Sequence, residues 1–196
     1  MKVLALSPHT DDAELGCGGT LTRFVSEGAE VKCLIFSYAD KEILKDEAEE
    51  ALGILGVTDF QIFNFERRNF LQQRQEILQI LYGYDKANHI DLVLTPSTVD
   101  LHQDHHVVTQ ETMRAFKRCT ILGYELPWNN IQFTTNYFVR LQEADANKKI
   151  AALKCYDSQK NKHYFQEDFL LGLLKVRGTQ IQAQYAEAFE VIRVVY

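Results

Sequence analysis

The sequence has no apolar stretch long enough to span a membrane or to form the core of a signal peptide, so the cytoplasm is the expected location. Clustered basic charge is also missing. The 21 Lys and Arg are spread out among 27 Asp and Glu, for a net charge of −6, which argues against a general nucleic-acid or anionic-membrane surface. A local basic pair could still hold a phosphate. There is no C-x-x-C spacing, and Cys17, Cys33, Cys119 and Cys155 are read as scattered, reduced core thiols. Cys17 lies between glycines and is better explained as a small residue packing a helix on a sheet than as a soft metal ligand. No internal repeat and no Pro/Ser-rich linker appears, so residues 1–196 are expected to form one domain, long enough to bury a sizeable core.

What is present is an alternation of short apolar runs with amphipathic stretches, the pattern of repeated βα units. Strands are expected at 3–6, 31–36, 60–63, 91–94 and 119–123, and helices at 15–27, 40–55, 70–87 and 105–117. Gly28 and Gly56 close the first two helices. The acidic run from Lys45 to Glu50 is a solvated helix face. The last third is less regular, with a strand at 132–141, helices at 144–156 and 164–176, and a final strand at 188–196. The fold class is therefore α/β: a Rossmann-like three-layer αβα arrangement on a mostly parallel sheet.

Two stretches carry chemistry. In Ser7-Pro8-His9-Thr10-Asp11-Asp12-Ala13-Glu14, a strand runs straight into a helix start, at the sheet edge where open α/β folds bind ligands. His9 and Asp12, three apart, can share a face and grip one cation, leaving Asp11 to face a metal-bound water. The same carboxylates would also serve as ordinary helix-start acids, with His9 a surface residue. The second stretch, Thr95 to His106, shifts that balance. It follows another apolar run and holds three of the six histidines, His102, His105 and His106. Hydrolytic zinc sites take three such protein ligands and keep one position open for water.

Pro8-His9-Thr10-Asp11-Asp12-Ala13-Glu14 together with His102-Gln103-Asp104-His105 resembles the paired signature of the LmbE-like, or PIG-L, family of zinc-dependent N-deacetylases. The resemblance implies removal of an acetyl group from an N-acetylglucosamine-type amino sugar or its conjugate, with Zn²⁺ or another divalent metal as cofactor. It implies His9, Asp12 and His105 as metal ligands, the last in preference to His106, and Asp11 as general base. His102 would meet the developing oxyanion as an imidazolium, with Asp104 orienting it. Thr10 and Gln103 stand where many members have proline, at positions permissive for backbone shape. More weakly, Glu66 to Phe70 lies where members often carry a substrate-contacting Arg, here assigned to Arg68 with Arg67 as competitor. Tyr185 to Phe189 resembles a common C-terminal element.

Other readings compete. A metal-dependent phosphoesterase or nucleotide-sugar enzyme usually needs more carboxylates or more phosphate-binding cations than these motifs supply. A non-catalytic nucleotide-binding module would use Gly16-Cys17-Gly18-Gly19, but a G-x-G-x-x-G needs glycine where Leu21 stands. Trp128, the only Trp, falls in a loop after a strand, where core-edge packing is favoured over stacking on a sugar. Glu14 is read as structural, and His89 and His163 as ordinary histidines. The expected partner is a small acetylated amino sugar or conjugate, with no nucleic acid and no membrane; homo-oligomerisation is left open.

Overall fold

The computed structural model describes residues 1–196. Its strands are β1 (Lys2–His9), β2 (Glu30–Ser37), β3 (Asp59–Ile62), β4 (Leu92–Pro96), β5 (Thr120–Tyr124), β6 (Tyr137–Leu141) and β7 (Tyr185–Arg193). Its helices are α1 (Asp12–Ser26), α2 (Glu42–Leu55), α3 (Phe70–Ala87), α4 (Gln103–Ala115), α5 (Glu143–Lys154) and α6 (Glu167–Gln180). They build an α/β fold on a seven-stranded sheet of order β3-β2-β1-β4-β5-β7-β6. The five strands β3, β2, β1, β4 and β5 pair in parallel, while β7 runs antiparallel to both β5 and β6.

Strand alternation decides the layers. On β1, Val3 and Ala5 face the core beneath α1, α2, α5 and α6, whereas Leu4 and Leu6 face the core beneath α3 and α4. Both faces are covered, which is why β1 and β4 read as unbroken apolar runs. Chain order reverses between β1 and β4: β2 lies on one side of β1 and β4 on the other. The C-terminal ends of those two strands form the crevice of a doubly wound sheet. Both chemistry-bearing stretches start there.

The parallel half follows the expected elements closely, with α3 matching its expected bounds. Differences cluster elsewhere. Residues 125–136 include no strand, so β6 begins only at Tyr137, and α6 begins at Glu167 after a short 3-10 turn at His163–Phe165. Helix α1 begins earlier, at Asp12, and breaks at Cys17, whose φ of −144° and ψ of 17° are not helical. A Cβ on Gly16 would sit 2.2 Å from the Tyr124 ring, and one on Gly19 would sit 2.5 Å from Leu141. The glycine-rich segment therefore serves close packing. Cys17, Cys33 and Cys119 are buried and free, while Cys155 is only half-buried. No helix is long and apolar enough to cross a membrane.

Candidate active site

Strand β1 delivers His9 at its last position, and the chain then turns sharply. Asp11 adopts a left-handed φ of 84°, a conformation that costs an ordinary L-residue roughly 1–2 kcal/mol but that Asp tolerates better than most. The turn is pinned by Ser7, whose hydroxyl donates to the His9 carbonyl (2.6 Å) and accepts from the Ala13 N–H (3.0 Å). The His9 N–H donates to Asp12 Oδ2 at 2.8 Å. This geometry returns the Asp12 carboxylate to the His9 ring, with Oδ2 3.2 Å from His9 Nδ1.

Strand β4 contributes the rest. Asp100, buried in the loop before α4, accepts from the His102 N–H (2.8 Å) and bonds His105 Nδ1 (2.8 Å). With Nδ1 engaged, His105 turns Nε2 to the first motif, 3.1 Å from Asp12 Oδ2 and 3.2 Å from His9 Nδ1. Three ligand atoms from two distant turns thus lie 3.1–3.2 Å apart. Donors around a tetrahedral ion with bonds near 2.0–2.1 Å would lie about 3.3 Å apart, so this set fits such an ion. His102 also lies close: His9, His102 and His105 each offer a ring nitrogen within 4.8 Å of the others. The tighter trio is His9, Asp12 and His105.

Each histidine of the trio is backed by a carboxylate, the arrangement that fixes tautomer and orientation in metal sites. Behind His105 it is Asp100. Behind His9 it is Asp104, whose Oδ2 lies 2.9 Å from His9 Nε2 and accepts the Arg68 N–H at 2.7 Å. The Asp104 carboxylate thus lies against His9, while its backbone N–H reaches His102, the ring it is expected to orient, donating to Nδ1 at 3.2 Å. His102 caps α4 in this way, which leaves the ring proton on Nε2. Asp100 received no role from the sequence. A search for a carboxylate partner behind each candidate ligand would have found it.

Electrostatics favour a cation among these donors. Burial alone would raise the Asp12 carboxyl, yet the His105 and His9 rings outweigh it and hold Asp12 well below the usual range. Burial would lower His105, yet Asp12 and Asp100 outweigh it and raise the ring to about 10. Positive charge is thus favoured at the point where the three donors meet. His102 moves the other way, to about 4, through burial and the neighbouring His105 and His9 rings. The Asp104 charge opposes this shift but is outweighed, so in this environment the neutral imidazole is favoured over the expected imidazolium. Burial and the Asp12 charge push Asp11 well up, while Lys162 opposes them; a bound cation would pull it down again.

The trio opens into a cleft of about 440 Å³ lined also by Asp11, His102, Lys41, Arg67, Trp128, Lys162 and Tyr164. Arg67, not Arg68, forms the wall. Arg68 takes a left-handed φ of 68° and gives its backbone to Asp104 and Gln103 while its side chain stays exposed. Trp128 stacks on Tyr164 with ring centres 3.8 Å apart, so it packs and lines the cleft at once. His106 bonds Gln110 on the exposed side of α4, away from the trio. Glu14 is buried and accepts from the Tyr156 hydroxyl at 2.7 Å. Sequence reasoning gave no role to Lys41, which reaches the cleft from the start of α2, or to Lys162 and Tyr164, which reach it from the segment between α5 and α6.

A doubly wound sheet with carboxylate-backed histidines and an aspartate at its switch point defines a class of α/β proteins equipped to hold a divalent cation. Residues 4–116 match the model of the family PIG-L, GlcNAc-PI de-N-acetylase, and the chain belongs to that deacetylase family. It is 30% identical over 167 residues to the uncharacterized deacetylase YaiS of Escherichia coli K12, covering 80% of this chain and 90% of YaiS. Among solved structures, N,N′-diacetylchitobiose deacetylase from Pyrococcus horikoshii superposes with a TM-score of 0.73 at 20% identity, over 97% of this chain and 83% of that one. The 4-carboxy-2-hydroxymuconate hydratase GalB from Pseudomonas putida KT2440 does so at 0.81 and 17%, over 100% and 98%. These likenesses show the fold alone.

Proposed function

We propose that this chain is a metal-dependent N-deacetylase that hydrolyses the acetamide of an N-acetylglucosamine-type amino sugar or its conjugate, yielding acetate and the free amine. The observation that carries the reading is the meeting of His9, Asp12 and His105 beside the unpaired Asp11 carboxylate. Because the same fold also hosts a hydratase, the family motifs and not the architecture support the reaction.

His9, Asp12 and His105 would hold the ion, zinc by donor type. When bound it would supply a water of pKa near 7 and a polarised acetyl carbonyl. Asp11 takes the attacking water's proton as its oxygen adds to the carbonyl carbon. His102 Nε2–H donates to the carbonyl oxygen as negative charge gathers there, a role open to neutral imidazole. Asp104 and Asp100 keep the ligand rings in place. When the C–N bond breaks, the nitrogen takes the proton that Asp11 received from the water and leaves as the amine, which returns Asp11 to the carboxylate.

Trp128 gives the cleft an apolar face suited to a pyranose. Lys41, Arg67 and Lys162 line the same cleft and pair with no carboxylate, which supports a conjugate bearing an acidic group, with Arg67 in the role first given to Arg68. The test is an acetate-release panel of N-acetylated sugars, free and attached to neutral or acidic groups, with metal content measured on the same sample. Acetate release that disappears on metal removal and returns with zinc is expected. Full activity after verified metal removal would refute the reading.

A further inference from the structure

Lys149 on α5 and Glu187 on β7 form a buried ion pair at 2.5 Å, each residue under 5% exposed, at a place the mechanism above does not use. Charges are costly to bury even when paired, so the contacts they make matter. Lys149 Nζ donates to the Leu15 carbonyl at 2.6 Å. Glu187 accepts the N–H groups of Gly19 (3.1 Å) and Thr20 (2.7 Å).

Leu15 and Gly19 are four apart, so their carbonyl and N–H are the two groups an unbroken helix would join. Here the carbonyl goes to Lys149 and the N–H to Glu187. The ion pair is thus inserted into the hydrogen-bond ladder at Cys17, where α1 leaves helical geometry. N-terminal to that break is a short segment, Asp12 to Gly16, carrying Asp12 and joined directly to Asp11. Within that segment Glu14 is tied to the residues just after α5 through Tyr156.

We propose that Lys149 and Glu187 are positioning residues: by holding α1 open at Cys17 they set the angle at which the Asp11–Asp12 turn meets the loop after β4. This gives a role to the Tyr185–Phe189 element, which lies on the strand most distant in sequence from the turn it steadies. It rests on the reading of Asp12 as a metal ligand and of Asp11 as the base.

The test removes both charges together, because a single substitution would leave one buried charge unpaired. In the double variant Lys149→Met with Glu187→Gln, zinc affinity, measured by competition with a chromogenic chelator, is expected to fall about tenfold, in the range for groups that orient ligands. In cobalt-loaded protein the visible absorption should change shape, and kcat should fall by more than KM rises. The control pair Arg74→Met with Glu111→Gln, on α3 and α4, should leave affinity and kcat within about twofold of wild type. Wild-type affinity, spectrum and kcat in the first double variant, with only its melting temperature moved, would overturn the proposal. If that variant does not fold, Glu187→Asp keeps both charges and withdraws the carboxylate by one methylene. Loss of zinc affinity is expected there too, and wild-type affinity would overturn the claim. A wild-type protein that binds no zinc would instead refute the metal reading, and the positioning role with it.

Discussion

The two turns that meet at the crevice orient their histidines in opposite ways. In the loop after β4 the orienting group is local: Asp100 fixes both the His102 N–H and the His105 ring within six residues of chain, while Glu190, Asn129 and Asn130 anchor Thr98, Leu101 and Ser97 from other parts of the chain. The turn after β1 is pinned by its own Ser7, but the partner of its histidine comes from outside. Asp104 backs His9 from 95 residues away, Tyr156 reaches Glu14 across 142, and Lys149 and Glu187 hold the helix behind it. It also carries the strained Asp11 backbone. The contrast teaches that His105 takes its orienting carboxylate from its own loop whereas His9 takes its own from the other turn, although both supply ligands to one point.

The largest effect should come from the atom both turns share. Asp12→Ala removes the carboxylate between two imidazoles, and loss of bound zinc together with activity is expected, measured by metal analysis beside acetate release. Asp11→Asn should do the reverse. Asparagine tolerates the left-handed backbone, so zinc should stay while kcat falls about 10²–10⁴-fold. If Asp11→Asn loses metal and Asp12→Ala keeps it, the two carboxylate assignments are exchanged.

The comparison sharpens with the carboxylates behind the ligands. Asp100→Asn and Asp104→Asn should each weaken zinc binding about 10–100-fold, read by chelator competition. Asp100→Asn should also destabilise the loop after β4, since the amide oxygen can keep only one of the two local bonds that the carboxylate accepts. Equal affinity in both variants and wild type would break the symmetry drawn between the two histidines.

The smallest effect concerns Glu14. Burial raises its carboxyl from 4.5 to about 7, with the Tyr156 hydrogen bond opposing. A group whose folded pKa is raised stabilises fully below its unfolded pKa, near 4.5, and that contribution is lost as pH rises to about 7. In chelator-treated protein, Glu14→Gln should therefore melt higher than wild type at pH 8, by a few degrees, with the advantage shrinking toward pH 5. Parallel melting curves at both pH values would count against this burial cost.

Legibility followed the same divide. The parallel half of the sheet was readable because buried strands and capped amphipathic helices write their period into adjacent residues, as α3 and the Gly56 stop of α2 illustrate. His9, Asp12 and His105 could be named as candidates because spacing and family likeness mark them. Asp104 was seen, but its carboxylate contact with His9 was not, since nothing in a local window says that it points back to β1. Arg67 and Arg68 differ by one position, and the left-handed backbone at Arg68 sends the two side chains different ways. The break at Cys17 was hidden for a similar reason. Its cause lies on α5 and β7, and the flanking glycines alone suggest only close packing.

The central claim is that one ion joins the two turns. X-ray absorption at the zinc edge on zinc-loaded protein, compared with His9→Ala and His105→Ala, tests it most directly. The expected wild-type shell has two imidazole nitrogens at about 2.0–2.1 Å with oxygen donors, and each variant should lose one imidazole. A shell with no imidazole scattering, or one that neither substitution changes, would contradict it.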